Sequence, residues 1–162
     1  SQNLKNLVGA EIGFGYGDNA KNLLAELPIK KLFCIDKYIN KKYVQNKREI
    51  TNYQNHSTVN NYLDLKNDKR VTFIEYDSLE AVKYVPDEID FVYIDGNHTY
   101  KYVYNELKLY SKKVREGGFI GGHDYIFGQN GVIEAVHNFI LDSKLIPQIC
   151  FPDFIFTKKE KK

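Results

Sequence analysis

The stretch VGAEIGFGYGDNAKNLL, residues 8–24, decides the fold, because an apolar run passes through a glycine-rich turn into a helical pattern. Residues 7–13 predict a buried strand, and residues 17–27, with leucines on one face, predict a helix. The closely spaced glycines of the turn are Gly13, Gly15 and Gly17. Glycine is costly inside regular structure, so this turn is expected to bring the backbone close to a ligand at a helix N-terminus.

The rest of the chain repeats the order of strand and helix. Further strands are predicted at 31–36, 70–77, 89–95 and 117–124, and helices at 99–114, at 130–143 and, in a short form, from Ser78 as the N-cap. Two short strands, 145–151 and 153–159, close the chain around a turn near Pro152. The pattern predicts a doubly wound, Rossmann-like α/β fold with a seven-stranded sheet. The sheet is expected to be mostly parallel, with one antiparallel strand in a C-terminal hairpin.

Length and composition favour one domain, 1–162, since 162 residues with 43% apolar content can form a core. A net charge of +2 gives no reason to expect nucleic acid or a membrane as a partner. No apolar run reaches the ~18 residues of a membrane span, and no signal peptide is recognised, so a cytoplasmic location is expected. Cys34 and Cys150 lie in apolar runs and are expected to be buried free thiols.

Two segments do not follow the strand–helix order. Residues 38–68 are polar and rich in asparagine, which predicts one helix with a long loop. That segment is either a solvated surface helix or a flap over a ligand. Residues 158–162 are basic and are expected to form a solvated tail.

Every predicted strand end before a helix carries an acid, and ligands of doubly wound sheets bind at these ends. The five acids are Glu11, Asp36, Asp77, Asp95 and Asp124. The turn has the spacing G-x-G-x-G, whereas the dinucleotide fingerprint needs a third glycine where Asp18 stands. Acids around the turn suit a ligand with a positive end, and Asp36 is placed to accept hydrogen bonds from ribose hydroxyls.

These residues resemble the class I S-adenosylmethionine-dependent methyltransferases. EIGFGYG (11–17) is similar to their E/D-x-G-x-G-x-G motif, and YDS (76–78) to the place where an acid meets the adenine amine. Residues 90–125 resemble the branch of small O-methyltransferases with sugar or natural-product substrates. That branch carries D-x-x-x-I-D-G-x-H-x-Y and later G-G-x-x-x-x-H-D-Y.

The resemblance implies S-adenosylmethionine as cofactor. Glu11 and the glycine turn would hold its amino acid end, Asp36 the ribose, and Asp77 with Ser78 the adenine. The complete set expected to bind the cofactor is Glu11, Gly13, Phe14, Gly15, Tyr16, Gly17, Asp36, Lys37, Asp77, Ser78 and Asp95.

The expected methyl acceptor is a hydroxyl on a small molecule, whose proton must be removed as it attacks. The candidate catalytic residues are His98, His123 and Asp95, and either histidine could be the general base. Some relatives use a divalent metal, and Asp95 and Asp124 could bind Mg²⁺ or Mn²⁺ here. A third ligand is not evident from the motif. A homo-oligomer is a further expectation, because a second subunit could complete the pocket.

Two other functions stay open at this point. A non-catalytic methyltransferase-fold module would bind a partner, and His98 and Asp124 would then be replaceable without loss. An NAD-binding oxidoreductase is disfavoured by the missing third glycine and the terminal hairpin. Each acid and histidine also has a structural alternative as a helix cap or a turn residue.

Overall fold

The computed structural model describes residues 5–37 and 57–159. Most of the loop predicted within 38–68, and the last residues of the basic tail, lie outside this range. The strands are β1 Leu7–Ile12, β2 Ile29–Ile35, β3 Val71–Ile74, β4 Ile89–Ile94, β5 Val114–Gly122, β6 Gln148–Cys150 and β7 Asp153–Thr157. The helices are α1 Asp18–Glu26, α2 Ser57–Asn67, α3 Ser78–Ala81, α4 Tyr100–Lys113 and α5 Asn130–Ser143, with a 3₁₀ turn at Val82–Tyr84.

The strands form one seven-stranded sheet in the order β3-β2-β1-β4-β5-β7-β6. Neighbours from β3 to β5 pair in parallel, whereas β7 pairs antiparallel with both β5 and β6. The predicted fold, with one antiparallel strand in a C-terminal hairpin, is therefore confirmed. The chain moves outward from β1 to β3 and then returns to β4, so the strand order reverses between β1 and β4. A crevice for a ligand is expected where these two strands end.

Apolar side chains cover the sheet in two layers. On one face, Ile12, Val92 and Ile120 lie in a buried cluster with side chains of α4 and α5. On the other face, Leu32 and Cys34 lie in a second cluster with side chains of α1 and α2. Strands buried on both faces are nearly continuous apolar runs, which is why the sequence pattern was informative.

Two local expectations were wrong. Asp77, not Ser78, is the N-cap of α3, and its Oδ1 accepts a hydrogen bond from the Leu79 N–H at 3.1 Å. A carboxylate caps a helix as well as a hydroxyl does, and the Ser78 hydroxyl is thus left to contact α4. Cys34 is buried as expected, but Cys150 is exposed, because it lies in a three-residue strand at the sheet edge.

The longest described helices, α4 and α5, have 14 residues each. In the parts of the chain that the structure describes, no helix has the length and apolar character to cross a bilayer.

Candidate active site

A cavity of about 340 Å³ opens where β1 and β4 end, at the reversal of strand order. Its volume lies within the roughly 300–1,000 Å³ typical of small-molecule sites. Seven of the residues predicted to bind a cofactor line it, namely Gly13, Gly15, Asp36, Lys37, Asp77, Ser78 and Asp95. The remaining lining residues are Ile12, Ile35, Tyr76, Gly96, Asn97, Tyr102 and Glu106. The structure thus brings together residues from four strand ends and from the helices α3 and α4.

The glycine turn forms one wall of the cavity through its backbone. Gly13 has a φ of +89°, and a Cβ built on it would lie 2.0 Å from the carbonyl oxygen of Asp95. Only glycine permits this approach of the two strand ends. The Gly15 N–H donates a hydrogen bond to Asp36 Oδ2 at 3.2 Å, so the turn is tied to the end of β2.

Three other residues of the predicted cofactor set do not line the cavity. Phe14 is buried and packs edge-on against Phe73, with ring centroids 5.1 Å apart. Tyr16 is 52% exposed. Gly17 directly precedes α1 as its N-cap, where a Cβ would lie 2.6 Å from the Phe14 ring. Phe14 and Gly17 thus pack on the side of the turn that faces away from the cavity, whereas the Tyr16 side chain lies in solvent.

Glu11 lies in β1 and is only 1% exposed, behind the cavity-lining residues. Its Oε1 accepts a hydrogen bond from Asn19 Nδ2 at 2.9 Å, and the Cys34 thiol is a further neighbour. Oε2 has no nitrogen or oxygen donor among the described residues. Burial raises the pKa of Glu11 to about 8, with Asp95 and Asp36 adding to the rise. A buried acid with a free acceptor fits a ligand that has a positive end.

Glu11→Gln is expected to stabilise the protein at high pH. In the folded state the Glu11 carboxyl has a pKa of about 8, whereas the ordinary pKa of a glutamate is 4.5. The free energy of unfolding should therefore fall between these two pH values, by at most about 1.4 kcal/mol per pH unit. Glutamine has no proton to lose, so the variant should lose less stability over this range. Urea denaturation at a series of pH values measures the difference, and exposed Glu134→Gln is the control. Parallel profiles for Glu11→Gln and the native chain would contradict the expectation.

Asp77 follows β3, which lies three strands away in the sheet from β4, the strand that Asp95 follows. Besides capping α3, it accepts a hydrogen bond at Oδ2 from the Tyr102 hydroxyl at 2.8 Å. Lys37 Nζ lies 4.0 Å from the same oxygen. Both carboxylate oxygens thus have protein donors. The structural alternative for Asp77 was a turn residue; the structure makes it a helix cap that also lines the cavity.

A cluster of two aspartates and two histidines adjoins the cavity through Asp95. His98 Nε2 lies 3.1 Å from Asp124 Oδ2 and 3.5 Å from Asp95 Oδ1. His123 Nδ1 lies 3.2 Å from Asp124 Oδ1 and 4.0 Å from Asp95 Oδ1. Asp124 is therefore in contact with both imidazoles. Ligand atoms of Asp95, His98 and Asp124 lie within 4.8 Å of one another, a spacing at which a metal ion could bind.

The backbone holds this cluster at the ends of β4 and β5. The His123 N–H donates to the Ile94 carbonyl at 3.0 Å, and the Tyr125 N–H to the Pro152 carbonyl at 2.9 Å. Asp124 has a φ of +61°, a conformation that aspartate and asparagine adopt more readily than other non-glycine residues. The loop after β5 is thus fixed to both β4 and the C-terminal hairpin.

Tyr102 and Glu106 line the cavity, although no sequence motif marks them. They lie four residues apart on α4, which places them on the same side of the helix. Glu106 is buried, as are Val103 and Leu107, apolar residues on the same helix. A carboxylate on the buried side of an amphipathic helix was the available signal.

Comparison with known proteins gives the family. A family model described as a methyltransferase domain matches residues 10–125, more than half of the chain. An uncharacterised protein of Acanthamoeba polyphaga mimivirus is 29% identical over 120 residues, which are 74% of this chain and 52% of that protein. The chain therefore spans about half the length of this curated relative.

Solved structures share the fold at low sequence identity. A precorrin-6y C5,15-methyltransferase from Geobacter metallireducens matches 98% of this chain and 82% of its own, with a TM-score of 0.68 and 15% identity. An rRNA methylase from Streptococcus thermophilus matches 97% and 90%, with a TM-score of 0.64 and 16% identity. A methyltransferase candidate from Streptococcus mutans, solved with S-adenosylhomocysteine, matches 94% and 88%, with a TM-score of 0.63 and 18% identity. The chain belongs to the methyltransferase-domain family and has the class I S-adenosylmethionine-dependent methyltransferase fold.

Proposed function

We propose that the protein transfers a methyl group from S-adenosylmethionine to a hydroxyl of a small molecule such as a sugar or natural product. The observation that carries the proposal is an acid-lined cavity that adjoins the aspartate–histidine cluster through Asp95. The cavity suits a cofactor with two positive groups, and the cluster suits an acceptor that must lose a proton. The family assignment agrees with this chemistry without naming the acceptor.

The cavity residues have distinct roles towards this cofactor, which when bound supplies a methyl group on a positively charged sulfur. Glu11, which lies behind the cavity wall, would in its ionised form attract the ammonium of the amino acid end through Oε2. The backbone of the glycine turn permits close approach there, and Asp36 would accept hydrogen bonds from the ribose. Asp77 and Ser78 line the part of the cavity assigned to the adenine. Methyl transfer is an in-line displacement, so orientation of the reactants is the main contribution of these residues.

His123 is the proposed general base. Its Nδ1 lies 3.2 Å from Asp124 Oδ1, so that the negative charge of the carboxylate would favour a proton on Nδ1 and leave Nε2 to accept the proton of the acceptor hydroxyl. A carboxylate that fixes the tautomer of a histidine in this way is a recurrent arrangement in hydroxyl activation. Asp124 also contacts His98, which would be oriented by the same carboxylate.

A divalent cation is the second way to activate the hydroxyl. Asp95 and Asp124 were the two predicted metal ligands, and His98 now supplies a third ligand atom within 4.8 Å. Two carboxylates and an imidazole suit Mn²⁺ better than Mg²⁺, which prefers oxygen ligands. An ion there would lower the pKa of the acceptor hydroxyl. The proposal is therefore that Asp124 serves proton removal, either through His123 or as a metal ligand.

Calorimetric titration tests the proposal first. S-adenosylmethionine, S-adenosylhomocysteine and NAD are each titrated with and without Mg²⁺ and Mn²⁺. Micromolar binding of the adenosyl compounds but not of NAD is expected. A turnover assay tests the metal. Faster methylation of an acceptor with Mn²⁺, and loss of that activity with EDTA, would support the metal role of Asp95 and Asp124. Binding of NAD alone would favour an oxidoreductase, and no binding at all would favour a partner-binding module.

Asp36→Ala is expected to weaken S-adenosylhomocysteine binding by roughly 1–3 kcal/mol, the usual cost of leaving buried polar groups without partners. Asp36 both lines the cavity and accepts the Gly15 N–H. Calorimetry measures the loss, and Asp36→Asn, which retains one acceptor oxygen, should lose less. The matched control is exposed Asp87→Asn, away from the cavity. Unchanged affinity in Asp36→Ala would remove the ribose assignment.

A further inference from the structure

Glu106 is a buried carboxyl in the cavity wall to which the proposed function gives no role. It lies in α4, is 0% exposed and is one of the cavity-lining residues. Its Oε1 accepts a hydrogen bond from the Ser78 hydroxyl at 2.5 Å. Oε2 has no hydrogen-bond partner within the described part of the chain. Burying an acid with so few partners costs stability, which suggests a functional reason for its presence.

The contact with Glu106 determines what Ser78 can offer to a ligand. A serine hydroxyl has one hydrogen to donate and two lone pairs that accept. Because the hydrogen is donated to Glu106, the Ser78 Oγ can only accept from a group in the cavity. Ser78 is half-buried and lines the cavity, so its oxygen is at a ligand-accessible position. Its carbonyl accepts from the Tyr110 hydroxyl at 2.7 Å, which fixes the residue against the same helix.

The neighbouring Asp77, like Ser78, can only accept hydrogen bonds from a ligand. An ionised carboxylate has no hydrogen to donate, and its two oxygens already accept from the Leu79 N–H and the Tyr102 hydroxyl. The ammonium of Lys37 is a nearby donor, and it lies 4.0 Å from Asp77 Oδ2. Asp77 and Ser78 together therefore present acceptor oxygens to this end of the cavity.

We propose that Glu106 is a positioning residue that fixes the Ser78 hydroxyl as an acceptor and so makes the cavity select an amino-purine over an oxo-purine. Adenine has an exocyclic amino group, which donates, where hypoxanthine has a carbonyl, which accepts. Only the amino group complements an acceptor oxygen, and a carbonyl in its place leaves buried polar groups unpaired. The inference rests on the proposed function, in which adenine lies beside Asp77 and Ser78.

The ionisation of Glu106 adds a pH readout. The pKa of Glu106 is raised to about 7, mainly by burial; the Ser78 hydrogen bond opposes the rise, and the Asp77 carboxylate adds to it. The other titratable neighbour is Tyr110 on the same helix. Above that pH the carboxylate can only accept, so Ser78 must donate. Below it, the carboxyl can donate its own proton and release the hydroxyl. The preference for adenine should therefore be larger at about pH 8 than at about pH 6.

Calorimetric titration with S-adenosylhomocysteine and S-inosylhomocysteine, at about pH 8, tests the inference. The native chain is expected to bind the adenine compound about 10- to 100-fold more tightly. Glu106→Leu should reduce this preference at least about fivefold, because the released Ser78 hydroxyl can donate to the hypoxanthine carbonyl. In a Ser78→Ala background, Glu106→Leu should cause no further change, since Glu106 acts through the hydroxyl.

The matched control is Asn105→Leu, a polar-to-leucine change at the next residue of α4, outside the cavity lining. It should leave the preference unchanged. Ser78→Ala alone tests the same contact if Glu106→Leu does not fold. Two results would overturn the inference in variants that still bind S-adenosylhomocysteine. One is an unchanged preference for the adenine compound in Glu106→Leu. The other is that Glu106→Leu reduces this preference as much in the Ser78→Ala background as in the native chain. Failure of the native chain to bind either compound would overturn the proposed cofactor together with the inference.

Discussion

Gly13→Ala is expected to abolish S-adenosylhomocysteine binding and to lower the free energy of unfolding by about 2–4 kcal/mol. The φ of Gly13 is +89°, and the added Cβ would lie 2.0 Å from the Asp95 carbonyl oxygen and 2.7 Å from Gly96 Cα. These are backbone atoms, so relief requires the ends of β1 and β4 to separate. Asp95 would then leave its position between the cavity and the histidines. Calorimetry and urea denaturation measure the two effects.

Gly128→Ala separates backbone strain from the clash. Gly128 has a similar φ of +94°, but a Cβ there would meet no atom within 4 Å, and the residue does not line the cavity. Its substitution should cost about 1–2 kcal/mol of stability and leave binding unchanged. If Gly13→Ala behaved like Gly128→Ala, the close approach of Gly13 and Asp95 would have no part in forming the site.

The fold was largely predictable because its signals are local. Buried strands such as β4 are apolar runs, and the two strands around Pro152 have no helix between them. Parallel pairing then places the strand ends at one edge, which is why Asp36, Asp77 and Asp95 meet in one cavity. The exposure of Cys150 was not predictable in this way, since an edge strand and a buried strand can have the same composition.

Side-chain contacts between distant elements were beyond the sequence patterns. Helical periodicity places Glu106 on the buried side of α4, but the contact with Ser78, 28 residues earlier, depends on how α3 packs against α4. The same holds for Phe14. Its position in the motif predicted contact with the cofactor, but its ring packs against Phe73. A motif specifies which backbone meets a ligand better than it specifies which side chains do.

Asp124→Asn is expected to reduce methyl transfer by about 10²–10⁴-fold while S-adenosylhomocysteine affinity stays within about twofold. Asp124 lies 3.1 Å from His98 Nε2 and 3.2 Å from His123 Nδ1, and it does not line the cofactor cavity. Asparagine retains the shape of the side chain and tolerates the φ of +61°. It lacks the charge that orients an imidazole or binds a cation, so the loss falls on the chemical step.

Release of S-adenosylhomocysteine from S-adenosylmethionine, with a panel of sugars and phenols as acceptors, measures turnover. The control is Asp142→Asn, an exposed aspartate on α5 that contacts Lys108. It should be as active as the native chain. A loss that Mn²⁺ partly restores in Asp124→Asn would favour the metal role, whereas a loss indifferent to Mn²⁺ and matched by His123→Gln would favour the base. Full activity of Asp124→Asn would exclude both roles, because each depends on the negative charge that this carboxylate places between the two histidines.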